Sequence, residues 1–378
     1  MYTNVKEYFK LKTDNLSFIQ LKPNSDLEIN GYEIKEKTPL PIVIDELVNE
    51  IKEKRAQEEI KITSVIRGII YTIGADPEFK FNNEYKKILY NYKSDIEEYI
   101  LYKGVQLIKD DFEEGLIYLR SLTKLNEENV EGLYNYGFAL EEKAKKLYKN
   151  KEIKKGNIFF KKSTELFETI IDIDPDYVMA YYKLGFHYMN AKQFKKSQIM
   201  WEKFLHLNEE ENLNAEVTEA LVAIEDDVTY EEGYSEILGG NIQEGLKKLI
   251  PLKEKYSDWW NLLFMIGLGY RQAGEYSKAI KEFENVLIIK PDQIDTLNEL
   301  ALSLANVSKF KQAIQKFTEA LKLKTDDHEL LCNRGMCYLQ IDDIDNASKD
   351  INKANKIKPN DEVTIACKRE LERIKNRA

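Results

Sequence analysis

Asp172, Asp174 and Asp176 alternate in a run that opens like a calcium loop, where carboxylates at the first, third and fifth positions wrap a hard cation. The run then fails, because Tyr177 stands where such a loop needs Gly and its twelfth position is Lys183 rather than Glu. Cys332 and Cys337 are five residues apart, which turns them roughly 140° from each other on a helix, so they cannot share a metal. His187, His206 and His328 are the three histidines of the chain, and they lie in separate helices. There is no Gly-rich phosphate loop with Lys, no GxGxxG after a strand, no HExxH and no GxSxG. Neither a metal, a cofactor nor catalysis is expected.

The composition favours a soluble helical protein. Hydrophobic residues make up 43% of the 378, charged residues 32%, and there are 17 Gly and 8 Pro, which fits neither a disordered chain nor a loop-rich β-sandwich. With 56 Lys and Arg against 66 Asp and Glu the net charge is −10, which repels phosphate backbones, so nucleic acid is not an expected partner. Three Cys exclude a disulfide framework and suit a reducing compartment. The start, MYTNVKEYFKLK, has no apolar run followed by small residues. The longest apolar stretch, Ser64 to Ala75, contains Arg67 and is far shorter than the roughly 20 residues that span a bilayer. The expectation is a cytoplasmic protein with no membrane partner.

Self-similarity organises most of the chain. Laying Asp226, Trp260, Ile294 and His328 in one column aligns four blocks of equal length without a gap, up to Asp361. Position 8 is Gly233, Gly267, Ala301 and Gly335; position 20 is Gly245, Ala279, Ala313 and Ala347; position 24 is Leu249, Phe283, Phe317 and Ile351. Positions 4, 7, 8 and 11 fall on one helical stripe and 20, 24 and 27 on another, so each block reads as two amphipathic helices. The small residues belong where the two backbones approach most closely. Pro291 and Pro359, at position 32, end the second helix.

The block from Trp260 to Gln293, with Leu263, Gly267, Tyr270, Gly274, Tyr276, Ala279, Phe283 and Pro291, closely resembles the tetratricopeptide repeat family. A further ungapped block starts at Val178, and two weaker ones precede it. The resemblance implies an all-α fold: a right-handed α-solenoid of about seven helix hairpins over residues 97–361, closed by a capping helix at 362–378. The blocks are 97–129, 130–177, 178–211, 226–259, 260–293, 294–327 and 328–361. The second block holds a Lys-rich insertion around Glu141 to Lys155, expected to lengthen its helices into a solvated projection. Residues 212–225 are expected to form a separate inserted helix, within an acidic stretch from Glu209 to Glu232 that has no basic residue. Val363, Ala366, Cys367, Leu371 and Ile374 should form the buried stripe of the cap.

Residues 1–60 look different, a small α+β region of one β-hairpin plus a helix. Leu27, Ile29, Tyr32 and Ile34 alternate around Asn30-Gly31, a hairpin signal. Thr38 and Pro39 are expected to start the helix, with Leu40, Ile44, Leu47, Val48 and Ile51 on its buried side. Residues 61–96 then read as a helical pair, Thr63 to about Ile73 and Pro77 to about Tyr92. Gly68 precedes Gly104 by little more than one block length, the spacing of a worn repeat.

In the family this chain resembles, positions 5 and 9 of the first helices point into a concave groove. Carried over, these are Tyr134 and Phe138, Tyr182 and Phe186, Tyr230 and Tyr234, Phe264 and Leu268, Asn298 and Leu302, then Cys332 and Met336. That is an aromatic and apolar row of the kind enriched in binding hot spots. The Lys and Asn set with which some family members clamp a terminal carboxylate is absent, so an apolar or aromatic segment of a partner protein or peptide is the expected ligand. The leading expectation is a non-catalytic adaptor. A second is a peptide-responsive regulator resembling the multi-repeat quorum regulators, with residues 1–96 as effector; a third places an unrecognised catalytic site in that region. Intramolecular filling of the groove is the alternative for the aromatic row.

Overall fold

Turn chemistry and proline placement shape the first elements of the computed structural model, which describes residues 2–21, 27–45, 48 and 61–376. Helix α1 (Val5–Lys10) is six residues long and is capped by Asn4, whose side-chain oxygen accepts the Glu7 N–H at 2.9 Å. A 3₁₀ turn, Leu11–Asn15, leads into strand β1 (Leu16–Ile19). Strands β2 (Leu27–Ile29) and β3 (Tyr32–Ile34) form the expected hairpin, with Ile29 opposite Tyr32. Asn30 at φ 49° and Gly31 at φ 85° supply the two positive φ angles of a tight hairpin turn.

The expected helix start at Thr38 is a correction: Leu40–Val43 is strand β4, antiparallel to β1 with Leu16 opposite Val43. A proline disfavours helical backbone in the residue before it, and Pro39 and Pro41 impose this on Thr38 and Leu40 in turn. Ile44 and Val48 are exposed, not buried, while Leu47 and Ile51 lie outside the described residues. Helix α2 (Ile62–Ala75) crosses β4 so closely that a Cβ at Gly68 would overlap the Pro41 carbonyl and lie 2.9 Å from the Ile42 nitrogen. Gly68 therefore has a local reason that needs no repeat. Helix α3 (Asn82–Tyr92) starts five residues later than Pro77, because Phe79 and Phe81 turn inward to pack their rings with Tyr85.

Helix pairs follow. In the amino-terminal unit, Met1–Val217, these are α4 (Ile96–Asp110) with α5 (Phe112–Leu125), α6 (Val130–Lys149) with α7 (Ile153–Ile173), and α8 (Val178–Asn190) with α9 (Phe194–Leu207). In the carboxyl-terminal unit, Thr218–Ala378, α11 (Ile242–Lys255) precedes α12 (Trp260–Gln272) with α13 (Tyr276–Ile289), α14 (Ile294–Asn306) with α15 (Phe310–Leu323), and α16 (His328–Gln340) with α17 (Ile344–Ile357). Helix α18 (Glu362–Lys375) closes the series. The starts at Trp260, Ile294, His328 and Glu362 follow one another by one block length each, as do those at Ile242, Tyr276, Phe310 and Ile344.

The small residues sit at the crossings, with Ala279, Ala301, Ala313 and Ala347 all fully buried. Where Ser replaces them, its hydroxyl is tied across the crossing: Ser197 Oγ donates to the Gly185 carbonyl at 2.8 Å and Ser163 Oγ to that of Gly137 at 2.7 Å. In five of the helix pairs the turn carries one left-handed residue at the same register, Lys192, Gly240, Gly274, Ser308 and Asp342.

Three further expectations change. Residues 212–225 are not a separate helix, since α10 (Glu211–Leu238) runs unbroken through them, and the division between the two units falls inside it. No Gly or Pro interrupts the chain before Gly233, and about 14 residues at 100° each end only about 40° short of four full turns, so the helix can continue. The Lys-rich insertion does lengthen α6 and α7 to 20 and 21 residues, but it is not a bare projection. Ala144 and Leu147 are buried, and the rings of Tyr2 and Tyr8 pack edge-on to Phe159 at 6.0 and 5.0 Å. Glu113 anchors the same corner, accepting from the Tyr8 hydroxyl and pairing with Lys143 and Lys12. In the cap, Val363 and Ala366 are exposed and Thr364 joins Cys367 and Leu371 in the buried set, because α18 is covered only where α16 and α17 lie against it.

Candidate functional site

In the amino-terminal unit, α6 and α8 carry the expected row. Tyr134 is half-buried against Phe167 and Tyr177, with centroids at 5.7 and 5.5 Å. Phe138, one turn on, is 39% exposed and lies under the Lys183 ammonium at 4.7 Å. Tyr182 packs on Phe186 at 5.0 Å and on Phe204 at 5.4 Å, while Phe186 meets the fully buried Trp201 edge-on at 4.8 Å. The Tyr182 hydroxyl donates to Glu216 at 2.9 Å; burial and then that carboxylate push the phenol up to about 12.

Tyr182 and Phe186 open onto a cavity of about 1080 Å³ between α7 and α8, which also reaches Glu141 and Lys183. Tyr134 and Phe138 stand outside it. At its edge a charged cluster joins two helices. Glu141 of α6, 7% exposed, pairs with Lys183 at 2.9 Å and Lys145 at 2.7 Å, with His187 Nε2 at 3.7 Å. Burial alone would raise the Glu141 carboxyl, but His187, Lys145 and Lys183 outweigh it and hold it below the usual carboxylate range. His187 is stacked on Phe160 at 4.2 Å and its Nδ1 lies 2.8 Å from the Thr164 hydroxyl. The aromatic row did not point to this cluster, because Glu141 is position 12 of one helix whereas Lys183 and His187 are positions 6 and 10 of another.

In the carboxyl-terminal unit, Tyr230 packs on Trp259 at 4.6 Å and Tyr234 is 40% exposed beside it. Phe264 is half-buried against Phe283 at 5.8 Å, and Leu268, Leu302 and Met336 are half-buried as well. Asn298 is half-buried and accepts from Asn333 at 3.4 Å. Cys332 is the exception, a correction to the expected row: it is fully buried with its Sγ 3.8 Å from the Thr364 hydroxyl of α18, so the capping helix covers it. The acidic stretch is partly engaged from within, Glu232 by Lys248 and Asp226 by Lys255 and Tyr256.

Among the described residues no three His, Cys, Asp or Glu side chains gather as a metal site, and no helix is long and apolar enough to cross a membrane.

Helix hairpins recurring at one fixed period, with small residues at each crossing and half-buried aromatics on the first helices, define an α-helical repeat protein. The profile of the tetratricopeptide repeat matches residues 328–361, so that block is similar to a repeat of this family. No curated protein matches it. Among solved structures, MamA is 20% identical over 51% of this chain and 98% of that one, with a TM-score of 0.38. The Pseudomonas aeruginosa pilF structure is 15% identical over 63% and 99%, with a TM-score of 0.39. YrrB, a TPR protein with an unusual peptide-binding site, is 14% identical over 66% and 97%, with a TM-score of 0.28.

Proposed function

We propose that the chain is a non-catalytic interaction scaffold that docks an apolar or aromatic segment of a partner protein against the first helices of its repeats. The observation that supports this most is the cavity of about 1080 Å³ rimmed by Tyr182 and Phe186. Their rings are already fixed by Phe204 and Trp201, so ordering them on binding costs little entropy. Phe138 and Tyr234, 39% and 40% exposed, are the further anchors of the row, one in each unit. The charged groups at the cavity edge are paired in advance, so an apolar ligand does not have to strip water from a lone charge. A cytoplasmic location belongs to the same reading, with all three cysteines free and buried.

The packing disfavours an effector that folds apart from the repeats, because Tyr8 and Phe9 share one apolar core with Leu133, Phe159 and Phe167. Selection of displayed peptides on the immobilised full chain tests the scaffold reading. Wild type should enrich peptides with spaced aromatic or aliphatic anchors, and Phe138→Gln or Tyr182→Gln should cut that enrichment at least about tenfold with helicity unchanged. An identical enriched set in both variants would reject the aromatic face as the docking site.

A further inference from the structure

A second cavity, of about 690 Å³, lies between residues 3–6 at the start of the chain and helices α5, α6 and α7. Two polar groups at its wall have needs that the described residues do not meet. Arg120 is only 6% exposed, yet it has no carboxylate within ion-pair distance among the described residues; Asp76 acts on it only from farther away. Its Nη1 donates to the carbonyls of Gly74 at 2.6 Å and Ala75 at 3.3 Å, which satisfies the end of α2, and Phe9 covers the guanidinium at 4.4 Å. Nη2 and Nε have no acceptor among the described residues, so half of a planar fork remains available. Tyr136, 3% exposed, lines the same cavity, and its hydroxyl has no hydrogen-bond partner among the described residues.

A buried guanidinium without a counter-charge and a buried hydroxyl without a partner both oppose folding unless something else satisfies them. The local charge says what that is. Five of the charged side chains lining the cavity are basic and two are acidic, in a chain whose net charge is −10. Lys6 and Lys124 are engaged with Glu78 and Glu127, but these are surface pairs of low worth that an incoming anion can replace. A guanidinium edge matches two oxygens of a phosphate, and a phenol supplies a third donor. Leu133, Ile158 and Leu166 give the remainder of the cavity an apolar wall, and its volume exceeds what a lone inorganic anion fills.

We propose that this cavity binds a small organic phosphate, with the phosphate held by the free edge of Arg120 and the Tyr136 hydroxyl, Lys6 and Lys124 at the mouth, and the organic part against Leu133 and Leu166. The cavity shares Lys161 and Glu165 of α7 with the first one but none of the aromatic row, and the assignment does not depend on that docking face.

Titration calorimetry on the full chain, with inorganic phosphate, a hexose phosphate and a nucleoside monophosphate at matched ionic strength, tests this. Unphosphorylated hexose and nucleoside serve as controls. The expected result is saturable binding of at least one organic phosphate, tighter than inorganic phosphate, and none of the controls. Tyr136→Phe keeps the ring and removes only an unpartnered hydroxyl, so it should fold as well as wild type while binding about tenfold more weakly. Lys124→Gln, at the mouth, should also weaken binding without loss of helicity. No saturable binding of any phosphate overturns the proposal, as does equal affinity in wild type and Tyr136→Phe. Binding of inorganic phosphate alone overturns the organic-phosphate assignment.

Discussion

Gly185→Ala isolates the steric rule on which every hairpin rests. Gly185 of α8 faces Trp201 of α9, and an added Cβ would overlap the indole nitrogen side of the ring and come within 2.5 Å of its Cε2. The ring cannot swing away, because Trp201 is fully buried and Phe186 packs against it. The nearest ring atom, Nε1, would lie 2.1 Å from that Cβ, so ordinary contact needs about 1.3 Å or more of helix displacement, an overpacking cost of about 2 to 3 kcal/mol. The better helix propensity of Ala returns about 1 kcal/mol, leaving a net loss of about 1 to 2 kcal/mol. The same two register positions in the next unit are occupied by Ala301 and Phe317, both fully buried, so Ala is accepted when the facing ring is the smaller one. Trp201→Phe should therefore relieve Gly185→Ala, with a favourable coupling of at least about 1 kcal/mol. Urea unfolding of the full chain followed by far-ultraviolet circular dichroism, on the two single variants and the double, measures this. A loss below about 0.5 kcal/mol for Gly185→Ala, or strictly additive effects, would refute close packing at this crossing.

Ser308 is exposed with φ 60°, so Ser308→Gly should stabilise the carboxyl-terminal unit by about 0.5 to 1 kcal/mol in the same urea assay, the relief of a left-handed side chain exceeding the entropy lost by Gly. Burial acts to raise the Glu113 carboxyl, but hydrogen bonds from Lys143, Tyr8 and Lys12 lower it to about 2. Its stabilisation is therefore complete above the unfolded value of 4.5 and is lost as pH falls from there towards about 2. With its side chain 37% exposed, screening limits the effect to about 1 to 2 kcal/mol. Glu113→Gln should remove that much at neutral pH and flatten the acid limb of a stability-against-pH curve; an unchanged limb would show that this corner does not hold the amino-terminal segment.

The repeats were legible because their signal is local. A small residue at position 8 and another at 20, with a large one at 24, specify two helices and the distance between them. Register alone placed Phe138, Tyr182, Phe186 and Tyr234 in one row, while their exposure or partial burial is set by the neighbours they pack against. The first elements were less legible. Helix α1 has six residues, too few for periodicity to show, and β4 is a short apolar run whose identity depends on β1, well upstream in the chain. The left-handed turn residues Lys192, Ser308 and Asp342 carry no Gly to mark them.

By itself the sequence determined the period of the chain, the pairing of helices within each hairpin and the row of rings on the first helices, since all three depend on residue volume at fixed spacing. The tertiary structure decided what meets across that spacing. It placed Tyr2 and Tyr8 on the lengthened helices α6 and α7, put Cys332 under the cap, gathered Glu141, Lys183 and His187 from different helices, and left Arg120 buried without a counter-charge. Each of these joins residues far apart in the chain, and neither a helical period nor a small-residue pattern records which distant side chain will fill a given space or face a given charge.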